Sequence, residues 1–198
     1  MSHTSLCGSC REGFPPAHFE NSLVHIDALF SYSDQTVKRA IWALKYKGDR
    51  EIAHLFAEML YDHVLALIEE STLFTHIEKP PIVLPIPLSW KKRWRRGFNQ
   101  MDRIASELSK LDGERTFEVY KTLLKKRVNT KSQVEVKNRK QRIQNAYDSF
   151  EVTLPKAVQG RYVIIIDDVV TTGGTLQEAM RVLKLAGAKK VIGLAIAH

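Results

Sequence analysis

The sequence predicts an α/β fold in which a parallel β-sheet is flanked by helices. Its last part reads as strand, turn, helix and strand, with strands at 161–166 and 191–197 and a helix at about 175–186. Both strands are apolar throughout, which is typical of parallel strands covered on both faces. Two earlier apolar runs, at 24–32 and 80–88, have the length and composition of further strands.

Three amphipathic helices are predicted between these strands. In the first, Val37, Ala40, Ile41 and Leu44 share one face, and Gly48 supplies a stop. The second runs from about Glu51 to Glu69. Its apolar stripe comprises Ile52, Leu55, Phe56, Met59, Leu60, Val64, Leu67 and Ile68. The third follows a basic loop after the 80–88 strand, and its stripe comprises Phe98, Met101, Ile104, Ala105 and Leu108.

Two segments lack a clear period. Residues 1–22 are poor in apolar residues and contain FPPAHFENS, so we interpret them as an irregular arm or the remnant of a small CxxC zinc module. Residues 114–150 are highly charged, and we predict a mobile excursion or extended hairpin outside the core. The remaining chain, 23–198, is predicted to form one α/β domain.

The formal net charge of +8 is concentrated in two segments. Residues 91–103 contain six Lys or Arg and one Asp, and residues 121–142 contain nine Lys or Arg and one Glu, so the rest of the chain is net acidic. Such segments suit an anionic partner bound at one place, either a polyphosphate metabolite or a nucleic acid. Charge alone does not distinguish these two partners.

Composition also restricts the location of the protein. No apolar run approaches the roughly 18–20 residues of a membrane span, and MSHTSLCGSC at the start lacks the apolar core of a secretory signal. The chain has two cysteines, which cannot form a disulfide framework. We therefore expect a cytoplasmic protein with no membrane span.

The most informative stretch is YVIIIDDVVTTGGTL at 162–176. A buried strand ends in Asp167 and Asp168 and continues into a Thr/Gly loop that opens a helix. Backbone N–H groups at a helix start lack intrahelical partners, and glycines allow close approach of a ligand, so the loop suits a monophosphate. Neighbouring carboxylates then suit ribose hydroxyls or a bound Mg²⁺. The chain contains neither the G-x-x-x-x-G-K-[ST] of P-loop NTPases nor a G-x-G-x-x-G dinucleotide motif after a strand.

These residues resemble a known family. VIIIDDVVTTGGT is similar to the phosphoribosyl-pyrophosphate (PRPP) motif of type I phosphoribosyltransferases. Within that superfamily, PIPLSWKKRWRRGFNQ, LKYKG at 44–48 and the spaced T-K-S-Q…R…R-I-Q-N-A-Y at 130–147 resemble the ComF group of competence-associated proteins. The resemblance covers about 24–198 and implies the type I phosphoribosyltransferase-like sheet with a flexible basic hood loop or hairpin.

The resemblance assigns roles to residues of this chain. It implies that Asp167 and Asp168 are the catalytic, ribose-binding pair. The 5-phosphate would be held by Thr171, Thr172, Gly173, Gly174 and Thr175. Pyrophosphate would be held by Arg95, Arg96 and Gly97, and Mg²⁺ would accompany PRPP. The flexible loop would contain Thr130, Gln133, Arg139 and Arg142. We interpret Trp94 and Phe98 as packing residues rather than ligands.

The resemblance implies a role in DNA uptake during natural transformation, with competence machinery as partner, but no segment identifies a phosphoribosyl acceptor. Two alternatives therefore stay open. The basic segments, with Trp90, Trp94 and Phe98, could bind single-stranded DNA beside a vestigial or regulatory PRPP site. An ordinary salvage or biosynthetic transferase is the third hypothesis.

Cys7 and Cys10 have the spacing of zinc ligands, and ComF proteins commonly open with two such pairs. Only one pair is present here, whereas a structural zinc site needs four ligands. His3, His18 and His25 have no spacing that recommends them. Two reduced thiols are the favoured interpretation.

Overall fold

A computed structural model of the protein describes residues 25–69, 79–127 and 149–198. The elements in chain order are β1 (Ile26–Phe30), α1 (Gln35–Tyr46), α2 (Arg50–Glu69), β2 (Ile82–Pro85), α3 (Trp90–Arg96), α4 (Gln100–Leu111), β3 (Glu118–Val119), β4 (Leu124–Lys126), β5 (Phe150–Val152), α5 (Pro155–Val158), β6 (Tyr162–Val169), α6 (Gly174–Leu185) and β7 (Lys190–Ala197). Within these ranges, no helix is long and apolar enough to cross a membrane.

Five parallel strands form the main sheet in the order β1-β7-β6-β2-β3. The predicted strands at the two ends of the domain are confirmed, and β6 lies at the centre between β7 and β2. Because all five strands run in one direction, the loops after β2 and β6 open at the same edge of the sheet. This edge is where ligands bind in open parallel sheets.

Side chains of β6 alternate between two cores on opposite faces of the sheet. Ile164 and Ile166 join the core formed with α1, α2 and α4. Val163 and Ile165 join the core formed with α6 and the β4–β5 pair. The apolar faces predicted for the helices are buried as expected in α1, α4 and α6, while in α2 the face is centred on Phe56, Leu60 and Val64.

The N-terminal ends of the helices near the ligand-binding edge are held by local hydrogen bonds. The carboxylate of Asp34 accepts two backbone N–H groups in the first turn of α1, and the carboxylate of Asp49 does the same in the first turn of α2. Asn99 caps α4 through the N–H of Met101 and also donates to the carbonyl of Ile86, at 3.1 Å. This second bond ties the start of α4 to the end of β2.

The prediction that 114–150 lies outside the core is wrong for part of the segment. Phe117 is buried beside the edge strand β3, and Leu123, Leu124 and Phe150 are buried under the antiparallel β4–β5 pair. These side chains have partners distant in sequence, so no local period reveals their burial. The antiparallel pairing of β4 with β5 agrees with the expected hairpin, whose remainder lies outside the described residues.

Candidate ribose-phosphate site

The acidic pair lies on the central strand and points to both faces of the sheet. Asp167 and Asp168 belong to β6, which runs on to Val169 and is longer than the predicted 161–166. By the alternation of strand side chains, Asp168 lies on the face of α1 and α4, and Asp167 lies on the face of the β4–β5 pair. The two adjacent carboxylates therefore meet different elements.

Asp168 is 7% exposed, and both of its carboxylate oxygens are occupied by protein groups. The ammonium of Lys45, near the end of α1, lies 2.9 Å from Oδ1. The amide nitrogen of Gln100, the first residue of α4, donates to Oδ2. A buried carboxylate needs such compensation, because desolvation of an unpaired charge is costly. Asp168 is thus held between two helices.

Asp167 has a different environment. Its Oδ1 accepts the backbone N–H of Asp168 at 2.8 Å, and Oδ2 has no hydrogen-bond donor among the described residues. Burial and the negative charge of Asp168 raise the pKa of Asp167 to about 7, against the opposing effects of the Asp168 N–H, Lys45 and Lys126. Asp167 is therefore the member of the pair with an oxygen free of donors among the described residues, whereas Asp168 can accept a ligand hydroxyl only through the second lone pair of an oxygen that already accepts a bond.

Lys126, at the end of β4, lies beside Asp167. Burial lowers the pKa of this lysine, and the charge of Lys92 lowers it further, whereas Asp167 acts in the opposite direction. Its ammonium also lies 5.2 Å from the ring centroid of Phe150. Among the described residues, neither Lys92 nor Lys126 has a carboxylate within ion-pair distance. Two such cations facing one cavity favour an anionic ligand.

A cavity of about 160 Å³ connects these groups. Two carboxylates and four cationic side chains line it, so its charge is net positive. The charged and amide side chains at its wall are Lys45, Lys92, Arg96, Gln100, Lys126, Asp167 and Asp168. Thr175 lies at the same cavity. The edge of the sheet thus brings carboxylates for hydroxyls and cations for phosphates into one place.

The basic segment after β2 is a helix and not the predicted loop. Ser89 caps α3 by accepting the N–H of Lys92 at 3.4 Å, and Gly97 ends the helix in a left-handed conformation with φ of 76°. The helical period separates the two arginines among the three predicted pyrophosphate-binding residues. Arg96 lines the cavity, whereas Arg95 is exposed on a neighbouring groove, and Gly97 is not part of the cavity wall.

Arg96 is held above the cavity by two contacts. Its guanidinium carbon lies 5.1 Å from the ring centroid of Tyr46, and its Nη1 donates to Oε1 of Gln100 at 3.1 Å. Its Nε is buried and has no hydrogen-bond partner among the described residues. An orphaned guanidinium donor beside a cationic cavity suits a phosphate oxygen.

The interpretation of Trp94 as a packing residue is wrong. Trp94 is 78% exposed and Trp90 is 67% exposed, because α3 lies on the surface and buries none of its side chains. Phe98 does pack, with the guanidinium carbon of Arg103 4.0 Å from its ring centroid. Arg103 also donates to the carbonyl of Gly48, which links α4 to the turn after Lys45.

The predicted 5-phosphate loop connects β6 to α6. Thr171 and Thr175 are exposed, and Gly173 and Gly174 are buried. Gly173 occupies the N-cap position with φ of 74°, and no side chain caps the helix there. The first N–H groups of α6 therefore have no capping side chain, which is the condition that the predicted 5-phosphate role requires.

Gly173→Ala is expected to destabilise the protein by about 1–2 kcal/mol, because a side chain is strained at positive φ. It should also weaken binding of ribose 5-phosphate by roughly 10-fold, since the loop must shift. Gly160→Ala is the matched control, because Gly160 has φ of 69° and nothing within 4 Å of an added Cβ. Thermal unfolding and calorimetry with both variants would separate strain from binding. Equal ribose 5-phosphate affinities of Gly173→Ala and Gly160→Ala would argue against binding of the 5-phosphate by this loop.

Sequence reasoning missed Lys45, Lys92, Gln100 and Lys126 as site residues. Lys45 and Gln100 lie in LKYKG and RGFNQ, two of the segments that carry the family resemblance, and this was the available signal. Lys92 and Lys126 differ from neighbouring lysines only in the direction of their side chains. Helix and strand geometry must be known before such residues can be selected.

Several predicted residues lie outside the described part of the chain. These are Cys7 and Cys10 of the CxxC pair, and Thr130, Gln133, Arg139 and Arg142 of the flexible loop. In the ranges that are described, no group of three or more His, Cys, Asp or Glu side chains could hold a metal ion. The roles predicted for the CxxC pair and the flexible loop stay predictions.

Comparison with known proteins identifies the family of the chain. Residues 59–198 match the family model of the phosphoribosyl transferase domain. The chain is 32% identical over 198 residues to the DNA utilization protein YhgH of Salmonella typhimurium, covering 96% of this chain and 77% of the relative. It is 30% identical over 185 residues to competence protein ComFC of Streptococcus pneumoniae, covering 92% and 68%.

A third relative, competence protein F of Haemophilus influenzae, is 29% identical over 153 residues, covering 76% of this chain and 63% of the relative. The residues that match the phosphoribosyl transferase family model, 59–198, include β6, the acidic pair and the loop before α6. The chain therefore belongs to the phosphoribosyltransferase domain family, in the ComF group that includes these competence and DNA utilization proteins.

Proposed function

We propose that this protein binds PRPP together with Mg²⁺ and acts in the uptake or use of DNA. One observation carries the proposal: the acidic pair, the uncapped start of α6 and the cationic cavity meet at one edge of the sheet. PRPP needs all three features, because it combines ribose hydroxyls, a 5-phosphate and a pyrophosphate. The names of the relatives support the DNA-related role.

Each part of PRPP has a counterpart in the chain. Asp167 and Asp168 would accept hydrogen bonds from the ribose hydroxyls, and Thr171–Thr175 would donate to the 5-phosphate. Arg96, Lys92 and Lys126 would neutralise the pyrophosphate, whose charge grows as it leaves the anomeric carbon. Phosphoribosyl transfer needs an acceptor, and none is identified among the residues described here.

The residues also fit a magnesium ion brought by the substrate. Mg²⁺ is usually held by one or two carboxylates together with substrate phosphates and water. Oδ2 of Asp167 is the carboxylate oxygen without a donor among the described residues, so Asp167 would supply the protein ligand. Bound Mg²⁺ would neutralise charge on the pyrophosphate oxygens.

The proposal is tested by titrating PRPP into the purified protein with and without Mg²⁺, followed by calorimetry of ribose 5-phosphate and pyrophosphate separately. We expect saturable PRPP binding that weakens when Mg²⁺ is withdrawn. Absence of PRPP binding in the presence of Mg²⁺ would overturn the proposal. Binding of PRPP without hydrolysis or transfer would leave the DNA-related role to be tested by genetic transformation assays.

A second candidate function is single-stranded DNA binding, and the exposed aromatic side chains of α3 favour it. Trp90 and Trp94 line a groove of about 520 Å³ with Lys91, Lys92 and Arg95. Exposed tryptophans among cations can stack bases while the cations contact phosphates. Lys92 lines both this groove and the cavity, so DNA and PRPP would compete. Affinity for DNA that does not fall with salt would contradict this candidate.

A further inference from the structure

Gln100 lies between the two halves of the candidate site. Its side chain is 1% exposed. Its amide nitrogen donates to Oδ2 of Asp168, and its amide oxygen accepts from Nη1 of Arg96 at 3.1 Å. The amide can have only this orientation, because a guanidinium offers no acceptor and an ionised carboxylate offers no donor. Gln100 thus joins a cation to an anion through one side chain.

The contacts of Gln100 form part of a closed ring of contacts, called here the circuit. Asp168 is bonded on its other oxygen by Lys45, and the neighbour of Lys45, Tyr46, lies against the guanidinium of Arg96. The circuit therefore connects β6 with α1, α3 and α4. Because α4 is tied to the end of β2 through Asn99, the position of Gln100 is set by the sheet itself.

We propose that Gln100 is a positioning residue that couples the anion-binding side chain Arg96 to the ribose-binding side chain Asp168. This inference rests on the proposed function. It concerns a step beyond it, namely that the two halves of PRPP are bound cooperatively. Arg96 keeps a buried Nε without a partner among the described residues, so it can bind an anion while its Nη1 stays bonded to Gln100.

The physical basis of the coupling is shared ordering. An anion bound to Arg96 restricts the guanidinium, which restricts the amide of Gln100 and thereby the carboxylate of Asp168. A ribose that binds next meets a carboxylate held more tightly than by the contacts of the free protein, and less conformational entropy is lost. By linkage, ribose binding must favour the anion by the same factor.

The test uses ribose 5-phosphate and pyrophosphate as half-ligands, titrated by calorimetry with Mg²⁺, each alone and with the other present. The coupling factor is the ratio of the affinities for one half-ligand in the presence and absence of the other. It should be about 5-fold or more larger in the wild type than in Gln100→Met. Gln100→Met should also weaken each half-ligand by roughly 10-fold, because bonds to two charged groups are lost. A role in stability alone would not reduce the coupling factor.

Two further variants make the result interpretable. Gln100→Asn keeps the amide but is one methylene too short to reach both partners, so it should lose the coupling with less disturbance of the core. Ser106→Ala is the control on the same helix, where the Ser106 hydroxyl bonds the carbonyl of Asp102 away from the cavity. It should keep the wild-type affinities and coupling.

The outcomes distinguish this inference from the proposed function. If the wild type binds neither half-ligand nor PRPP, the proposed function is overturned. If it binds both half-ligands, and the Gln100 variants couple them as strongly as the wild type, the inference about Gln100 alone is overturned. Loss of coupling in both Gln100 variants, with Ser106→Ala unchanged, supports it.

Discussion

Asp168→Ala is expected to lower the affinity for PRPP by roughly 100-fold or more. The substitution removes the acceptor of a hydrogen bond from a ribose hydroxyl and leaves the ammonium of Lys45 and the amide of Gln100 without their acceptor. One hydrogen bond to a charged group contributes about 1.5–3 kcal/mol, or roughly 10- to 150-fold in affinity, and the loss of the bond that holds Gln100 beside Arg96 adds to it. Calorimetry with PRPP and Mg²⁺ measures it directly.

The same substitution should reduce the free energy of unfolding by about 2–3 kcal/mol, because it leaves the partly buried ammonium of Lys45 and the buried amide of Gln100 without their acceptor. Binding must therefore be measured at a temperature where the variant is folded, as verified by circular dichroism. Asp27→Ala is the control, since the side chain of Asp27 is 43% exposed and, among the described residues, its one ion pair is with His63 at 3.8 Å. PRPP affinity that is unchanged in Asp168→Ala would contradict the assignment of this site.

Lys126→Met is expected to have opposite effects on binding and stability. The affinity for pyrophosphate and for PRPP should fall by roughly 10-fold or more, because the cavity loses a cation beside Asp167. The affinity for ribose 5-phosphate should change little. Burial lowers the pKa of Lys126, so its charged form is less favourable in the folded protein than in the unfolded chain. Removing the charge should therefore stabilise the fold near neutral pH, which a rise in Tm would show.

Lys125→Met supplies a matched control for this prediction. Lys125 is the preceding residue of the same strand, but it is exposed and points to the opposite side. Lys125→Met removes the same charge as Lys126→Met, so any difference between the two variants reports the position of Lys126 rather than the net charge of the protein. Equal losses of pyrophosphate affinity in both variants would reject a specific role for Lys126.

Removing a ligand-binding cation can stabilise the free protein when the site has an excess of positive charge that only a bound anion neutralises. The cavity holds more cationic side chains than carboxylates, and their repulsion is relieved when an anion binds. The cost in the free protein is the reason why such positions rarely suit stability and binding at once. Lys92, whose charge lowers the pKa of Lys126, belongs to the same group.

Much of the fold follows from local patterns in the sequence. The apolar strand before Asp167, the Thr/Gly loop and the apolar face of α6 are encoded within the 26 consecutive residues 161–186, and each depends on contacts that repeat with a short period. The cap residues and glycine stops are likewise local. The parallel sheet, the acidic pair at its edge and the Thr/Gly loop before α6 were therefore predictable.

The partners of the acidic pair could not be predicted in the same way. Lys45, Gln100 and Lys126 reach Asp168 or Asp167 from three elements that are distant along the chain. Arg95 and Arg96 are adjacent and identical, and only the helical rotation of α3 places Arg96 at the cavity. A one-residue difference along a helix turns a side chain by about 100°.

The sequence by itself establishes what chemistry is present: carboxylates at the end of a buried strand, a glycine-rich helix start and an excess of cations. Tertiary structure selects which cations take part, because strand alternation sends Asp168 towards α1 and α4, and Asp167 towards the β4–β5 pair. That selection depends on packing between elements far apart in the chain, and local sequence carries no record of it.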